Sequence, residues 1–179
     1  TLVSFLARGN YNYRSKYLLT GTFRADGSSK FAPQNRWAYF PSVGLAWRIS
    51  REKFMQALPM VSDAKFRFSY GETGNNRIGD FVRFSSLSTD YPRYYPFNNT
   101  PTPSVNTNRF GNENLKWETT KQTDIGLDLE LFKKRLNLTI DVYRKNTHDL
   151  LLNANVPYSS GYSTIYKNIG LVRNEGLEI

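Results

Sequence analysis

Residues 37 to 49, WAYFPSVGLAWRI, constrain the fold more than any other stretch of this chain. Every second residue places Trp37, Tyr39, Pro41, Val43, Leu45, Trp47 and Ile49 on one face. The other carries Ala38, Phe40, Ser42, Gly44, Ala46 and Arg48. A period of two belongs to an extended strand rather than a helix. At ~3.3 Å per residue the two tryptophans stand ~33 Å apart along such a strand. Tilted by ~40°, the strand separates the rings by ~25 Å along the normal, the height of the apolar band between the aromatic girdles of a transmembrane barrel.

The same rhythm recurs along the chain. Phe5, Ala7, Gly9, Tyr11 and Tyr13 alternate with polar residues, and so do Tyr17, Leu19, Gly21, Phe23 and Ala25. Phe66, Phe68 and Tyr70 oppose Lys65, Arg67 and Ser69. Ile125, Leu127, Leu129 and Leu131 oppose Gln122, Asp124, Asp128 and Glu130, and Leu136, Leu138, Ile140 and Val142 oppose Asn137, Thr139, Asp141 and Tyr143. A last strand is expected over TIYKNIGLVRNEGLEI, 164–179. SREKFMQALPMVSD reads as a short helical turn ended by Pro59, and 75–115 as a long irregular loop. The connections alternate short and long, which in an antiparallel meander sends tight turns to one end and long loops to the other. Outer-membrane barrels show that asymmetry, and a soluble sandwich has no physical need of it.

Composition narrows the chemistry. Among 179 residues there is no cysteine and one histidine, His148, so disulfides, thiolate nucleophiles and histidine-based metal sites lack material. Aromatics make up 15% of the chain, far too many for a disordered polypeptide. The net charge of +9 invites an anionic partner, but the basic residues are spread along the chain, and the one tight run, Lys133–Lys134–Arg135, reads as a solvated turn. No apolar run reaches the ~18 residues of a membrane helix, which leaves a β-barrel open. The chain opens on Thr1 and stops in mid-pattern, and is read as a stretch of a longer polypeptide.

Two features fit a barrel wall badly. Pro41 removes a ladder donor inside a strand and points to a bulge or a locally unpaired position. Arg173 and Glu175 share the apolar face of the last strand. The sequence therefore predicts either a register shift there or a place for Arg173 near the lower interface.

The segments TFRADGSSKFAPQNRWAYFPSVGLAWRISREKFM, KFRFSYGETGNNRIGDF, NENLKWETTKQTDIGLDLELFKKRLNLTIDVYRKNTHDLLL and NIGLVRNEGLEI resemble the barrel region of SusC/RagA-type TonB-dependent outer-membrane transporters. The resemblance runs in order over nearly the whole chain and is weakest at 81–110. It implies an all-β fold, an antiparallel up-and-down meander of about seven strands belonging to a barrel of about twenty-two. Residues 1–179 would then be part of that barrel domain, without the plug, the TonB box or the remaining strands, and with 75–115 as a long external loop. The family implies the outer membrane of a Bacteroidota-like bacterium and import of oligosaccharides or peptides. Its partners would be outer-membrane lipid, a SusD-like surface lipoprotein, and the TonB complex acting through the absent N-terminal region.

Within that frame Tyr11, Tyr13, Tyr17, Trp37, Tyr39 and Trp47 are expected in the membrane girdles, since amphipathic rings favour the headgroup boundary. The polar face, with Arg8, Arg24, Lys65, Arg67, Asp124, Asp128, Glu130 and Asp141, would line a wet lumen. Tyr91, Arg93, Tyr94, Tyr95 and Phe97, in TDYPRYYPFNN, are the candidate ligand or lid contacts, flat faces with hydrogen-bonding edges. No catalytic constellation, metal site or cofactor site is expected. DGSS at 26–29 lacks the alternating ligands and distal glutamate of a calcium loop. The competing reading is a soluble basic β-domain binding nucleic acid or acidic glycan. That would need basic and aromatic residues on one shared face, whereas the strands mostly separate them.

Overall fold

Two-residue alternation over a dozen positions builds long strands, and seven of them join into one antiparallel sheet. The structure, a computed structural model, describes residues 1–89, 94–162 and 164–179. The long strands are β1 (Leu2–Tyr13), β2 (Tyr17–Ser28), β3 (Trp37–Arg48), β4 (Val61–Asn75), β9 (Glu118–Leu131), β10 (Leu136–His148) and β13 (Leu171–Glu178). They lie in the order β1-β2-β3-β4-β9-β10-β13, each paired antiparallel with its neighbours. The expected meander is therefore present.

Register carries each strand's apolar set onto one face. Tyr17, Trp47, Phe66, Leu127 and Ile140 form a continuous cross-strand row. Leu19, Leu45, Phe68, Ile125, Val142 and Leu177 form the next. We call this the apolar face and its opposite the polar face. Pro41 costs little here. It pairs with Phe23 on β2, while the ladder to β4 begins only at Ser42 and Gly71, so the missing donor falls where pairing on that side has ended.

Short connections gather at one end, at 14–16, 49–60 and 132–135, the second holding 3-10 turns at Ile49–Arg51 and Lys53–Ala57. The long connections, at 29–36, 76–117 and 149–170, gather at the other. They are less irregular than expected. Within 76–117 lie β5 (Ser86–Ser88) paired with β8 (Asn106–Arg109), and β6 (Tyr94–Phe97) paired with β7 (Thr100–Pro103). The expected single strand over 164–179 is two. β12 (Thr164–Asn168) pairs with β11 (Leu151–Asn155), and only β13 joins the main sheet. Gly170, at φ +94, makes the break with a backbone turn that side chains rarely adopt.

The expectation for Arg173 is corrected. Pairing of β13 with β10 is continuous, with no register shift, and Arg173 stands opposite Asn146 toward the long-loop end, not the lower one. The surrounding rows explain it. On β3 the apolar face is apolar or aromatic from Trp37 to Trp47. On β9 and β10 it is so only from Ile125 to Leu131 and from Leu136 to Val142, close to the short turns. Above those stretches the same face carries Lys121, Arg144, Asn146, Arg173 and Glu175. The apolar zone thus steps toward the short-turn end from β3 to β13.

Candidate functional site

Three parts of the molecule offer function: the two sheet faces and the cap built by the long connections. The apolar face is exposed. All six aromatics expected in girdles lie on it, and five of them join stacked pairs toward its two ends. Trp37 stacks on Phe5 at 6.0 Å and Tyr39 on Phe23 at 5.9 Å. At the short-turn end Tyr17 lies 6.4 Å from Tyr13 and 6.5 Å from Trp47. Tyr11 stands out from β1.

Charge on that face is paired across strands, Glu72 with Lys121 at 3.3 Å and Arg144 with Glu175 at 3.0 Å, while Arg173 Nε donates to Asn146 Oδ1 at 3.1 Å.

The polar face is organised by ion pairs. Arg67 on β4 donates two bonds of 2.9 Å to the Asp128 carboxylate and one of 2.8 Å to Asp141 Oδ1, reaching over β9 to β10. Lys65 adds a 3.7 Å contact to Asp128. Gly126, between Asp128 and Asp124 on β9, makes this possible, because a Cβ there would collide with the Arg67 guanidinium and the Asp141 carboxylate. Beside the network lies a shallow cleft of about 420 Å³, floored by small residues such as Ser42, Gly44, Ser69 and Gly71 and edged by Arg8 and Gln122. It is shallow and wide open, which suits contact with a large body better than chemistry on a small one.

Over the long-loop end, connections distant in sequence pack into one cap. Phe31, Phe40, Ile78, Val82, Leu115 and Trp117 form a buried cluster, with Phe31 and Leu115 fully enclosed. Trp117 tilts against Phe31 at 5.4 Å, meets Phe40 edge-on at 5.8 Å, and donates its Nε1–H to Arg36 O at 3.0 Å. Lys30 Nζ donates to Ile78 O, and Asn168 spans two connections by donating to Lys116 O and Asp149 O while accepting from Lys116 N. Phe110 meets Tyr162 edge-on at 4.9 Å. None of this cluster stood out in the sequence, because its members come from one connection at 29–36, from both ends of another at 76–117, and from the start of β3. The one available signal was tryptophan and leucine inside polar NENLKWETT.

Of the candidate ligand contacts, Tyr91 and Arg93 lie outside the described residues. The chain at Tyr94 starts β6, and Tyr95 and Phe97, in the same strand, are 66% and 69% exposed. The β6–β7 hairpin turns at Asn98 and Asn99, both at positive φ, as asparagine tolerates. Among the described residues no group of three histidine, cysteine, aspartate or glutamate side chains could hold a metal ion.

At the short-turn end Glu52 had not stood out among the residues of its loop. Its carboxylate accepts from Lys16 Nζ at 3.0 Å, Tyr17 OH at 2.8 Å and Trp47 Nε1 at 3.3 Å. The Lys16 bond, and then that from Tyr17, hold its carboxyl below the ordinary value.

Comparison with known proteins places this geometry. The family model described as "TonB dependent receptor-like, beta-barrel" matches residues 3–179. TonB-dependent receptor P39 of Formosa agariphila is 44% identical over 178 residues, covering 99% of this chain and 17% of the relative. TonB-dependent receptor SusC of Bacteroides thetaiotaomicron is 39% identical over 181 residues, covering 99% and 18%. Among solved structures, the RagAB peptide importer in its closed-closed state superposes with a TM-score of 0.85 at 32% identity, covering 98% of this chain and 19% of that one. The siderophore receptor PirA of Pseudomonas aeruginosa shares the fold at a TM-score of 0.61 and 16% identity. The chain thus spans under a fifth of the length of the curated relatives cited. No described helix is long and apolar enough to cross a membrane, which says nothing of strands. A seven-stranded antiparallel sheet with one exposed apolar face, matched along its length by these receptors, belongs to the TonB-dependent receptor β-barrel family and is a SusC/RagA-type segment of a larger barrel.

Proposed function

We propose that this segment forms wall and cell-surface loops of an outer-membrane importer of oligosaccharides or peptides, energised through TonB and working with a SusD-like surface lipoprotein. The observation that carries the reading is the exposed apolar face with aromatic stacks at both ends, backed by an ion-paired polar face. Hydrocarbon would solvate the first and a wet lumen the second.

Strand tilt accounts for the charges on the apolar face. Strands ~4.8 Å apart and tilted by ~35–45° cross a horizontal slab with a shift of ~1–1.5 residues per strand. In register Arg173 is level with Asn146, Lys121 and Glu72, and Glu72 is one residue beyond Gly71, whose partner Ser42 is near mid-height on β3. Four strands on, that row lies ~4–6 residues nearer the outer rim, which lifts Arg173 by ~10–15 Å to the upper boundary of a ~25 Å apolar band. The stepping of the apolar zone from β3 to β13 has this sense.

The cap faces the cell exterior in this reading, with Tyr91, Arg93, Tyr94, Tyr95 and Phe97 as contacts to cargo or to the lipoprotein. RagAB is described as a peptide importer, and the relative SusC shares the receptor family; both cargo classes are therefore assayed. The test uses the full-length transporter. It should be extracted from membranes only with detergent, and Tyr95→Ala with Phe97→Ala should reduce uptake of one cargo class at unchanged expression. Recovery in high-salt buffer without detergent refutes the barrel reading; unchanged uptake of both classes refutes the loop assignment.

A further inference from the structure

The short-turn end carries a surface that the importer reading leaves unused. Glu52 accepts hydrogen bonds from Tyr17 and Trp47, both on the apolar face, so the connection 52–60 is held on the lipid-facing flank beside the lower aromatic stack. Phe132 N donates to Met60 O at 2.9 Å and Lys134 N to Ser62 Oγ at 3.3 Å, which joins the 132–135 turn to the same platform.

That platform is apolar and basic together. Phe54, Leu58, Met60 and Phe132 are exposed on it, Phe54 by 60%. Arg51, Lys53, Lys133, Lys134 and Arg135 are exposed beside them. The two segments 51–60 and 132–135 contain a single acid, Glu52, already engaged by Lys16. Lys134 lies 3.5 Å from Glu130, and the other four cations have no ion-pair partner among the described residues. Exposed aromatic and aliphatic side chains interleaved with cations, continuous with a girdle, suit a surface with an apolar interior and an anionic skin. A soluble protein partner would have no reason to begin where the girdle ends.

We infer that this rim is a binding site for anionic phospholipid headgroups of the periplasmic leaflet, with Phe54, Leu58 and Met60 inserted at the acyl boundary and Arg51, Lys53, Lys133 and Arg135 on the phosphodiesters. The inference rests on the barrel reading above. Its occupant is lipid rather than free phosphate, because the apolar side chains contribute only if acyl chains accompany the anion.

The test uses the full-length transporter, delipidated in a non-ionic detergent and titrated with dioleoyl phosphatidylglycerol or dioleoyl phosphatidylcholine, with retained lipids counted by native mass spectrometry. Phosphatidylglycerol should be retained at least ~10-fold more tightly than phosphatidylcholine. Arg51→Gln with Lys53→Gln, Lys133→Gln and Arg135→Gln should bring the two within ~2-fold. Phe54→Ser with Leu58→Ser should weaken both lipids alike, whereas Arg77→Gln with Lys167→Gln, exposed cations at the cap end, should change neither. These are exposed side chains, and unchanged heat-modifiable mobility verifies the fold. Equal binding of the two lipids by the unaltered protein, a preference surviving the four glutamines, or equally tight binding of soluble glycerol phosphate overturns the site. Failure of the transporter to enter micelles at all refutes the barrel reading instead.

Discussion

Leucine 127 offers the sharpest test of what solvates the apolar face. It lies on β9 between Phe66 and Ile140, in the row that includes Tyr17 and Trp47. In the barrel reading that row marks the lower girdle on β3. Two strands on, the tilt correction of ~1–1.5 residues per strand raises Leu127 by ~5–8 Å, into the apolar band. The charges nearest it on that face, Arg144 and Glu175, lie several residues toward the long loops and are already paired with each other. Leu127→Arg would therefore place an unpaired cation in hydrocarbon, at a cost of up to ~2–4 kcal/mol at the midplane, a ~30- to 1,000-fold fall in the folding equilibrium. If water covered this face, an exposed substitution would stay within about 0.5 kcal/mol. The matched control is Thr139→Arg, on the polar face of β10 opposite Asp128 and next but one to Asp141, where carboxylates would receive the charge. Urea unfolding of the full-length protein in phospholipid vesicles reads both. A Leu127→Arg midpoint equal to that of the parent, or a Thr139→Arg loss as large as that of Leu127→Arg, would refute lipid solvation of this face.

Other perturbations address the rest of the molecule. Gly126→Ala should disrupt the Arg67–Asp128–Asp141 network and cost ~1–3 kcal/mol; because both act on one network, Gly126→Ala with Arg67→Ala should cost much less than the sum of the singles, and additive urea midpoints would show that glycine serves something else. Trp117→Ala should open the cap locally at a cost of ~3–5 kcal/mol, raising hydrogen exchange across 28–36 and 76–82 while the strands stay protected; unchanged exchange there would remove Trp117 from the cap's core. Glu52 has a carboxyl held below its ordinary value of 4.5, so its stabilising contacts are intact above that value and are lost as pH falls through the lower folded one. The stability gap between the parent and Glu52→Gln should thus narrow below pH 4.5 in a thermal-melt series, and a gap constant with pH would mean the carboxylate's charge is irrelevant.

What the sequence disclosed divides along the range of the interactions. Alternation is local, so β1, β2, β3, β9 and β10 were legible to within a few residues at their ends, as was the short turn before Pro59. Whatever depends on residues brought together from afar was not. Phe31, Ile78 and Leu115 sit in polar stretches 47 and 37 positions apart and look unremarkable until two connections close over Phe40. The β6–β7 hairpin hid among prolines, which ordinarily argue against a strand. Here Pro96 and Pro101 face each other in a two-stranded ribbon outside the main sheet, where each residue has a free edge. The split at Gly170 was invisible because NIGLVR keeps its alternation through the break.

Arginine 173 shows how a correct pattern can yield a wrong position. Read strand by strand, the chain offered no common height scale, and an arginine on an apolar face had to be explained within its own strand. Pairing supplies the missing coordinate, because the rows tie β13 to β3 through β10, β9 and β4. Once the rows are fixed, the proposed barrel makes the drift of apolar residues toward the short turns and the charges of β13 one phenomenon, a level band crossing inclined strands. A sheet whose strands ran parallel to the normal would show its apolar zone at constant register from β3 to β13. The displacement seen here is what inclination requires, and it makes Arg173→Leu a near-neutral change at an interfacial position rather than the relief of a buried charge. Urea midpoints within about 0.5 kcal/mol of the parent would agree, and stabilisation by ~2 kcal/mol or more would return Arg173 to the middle of the band.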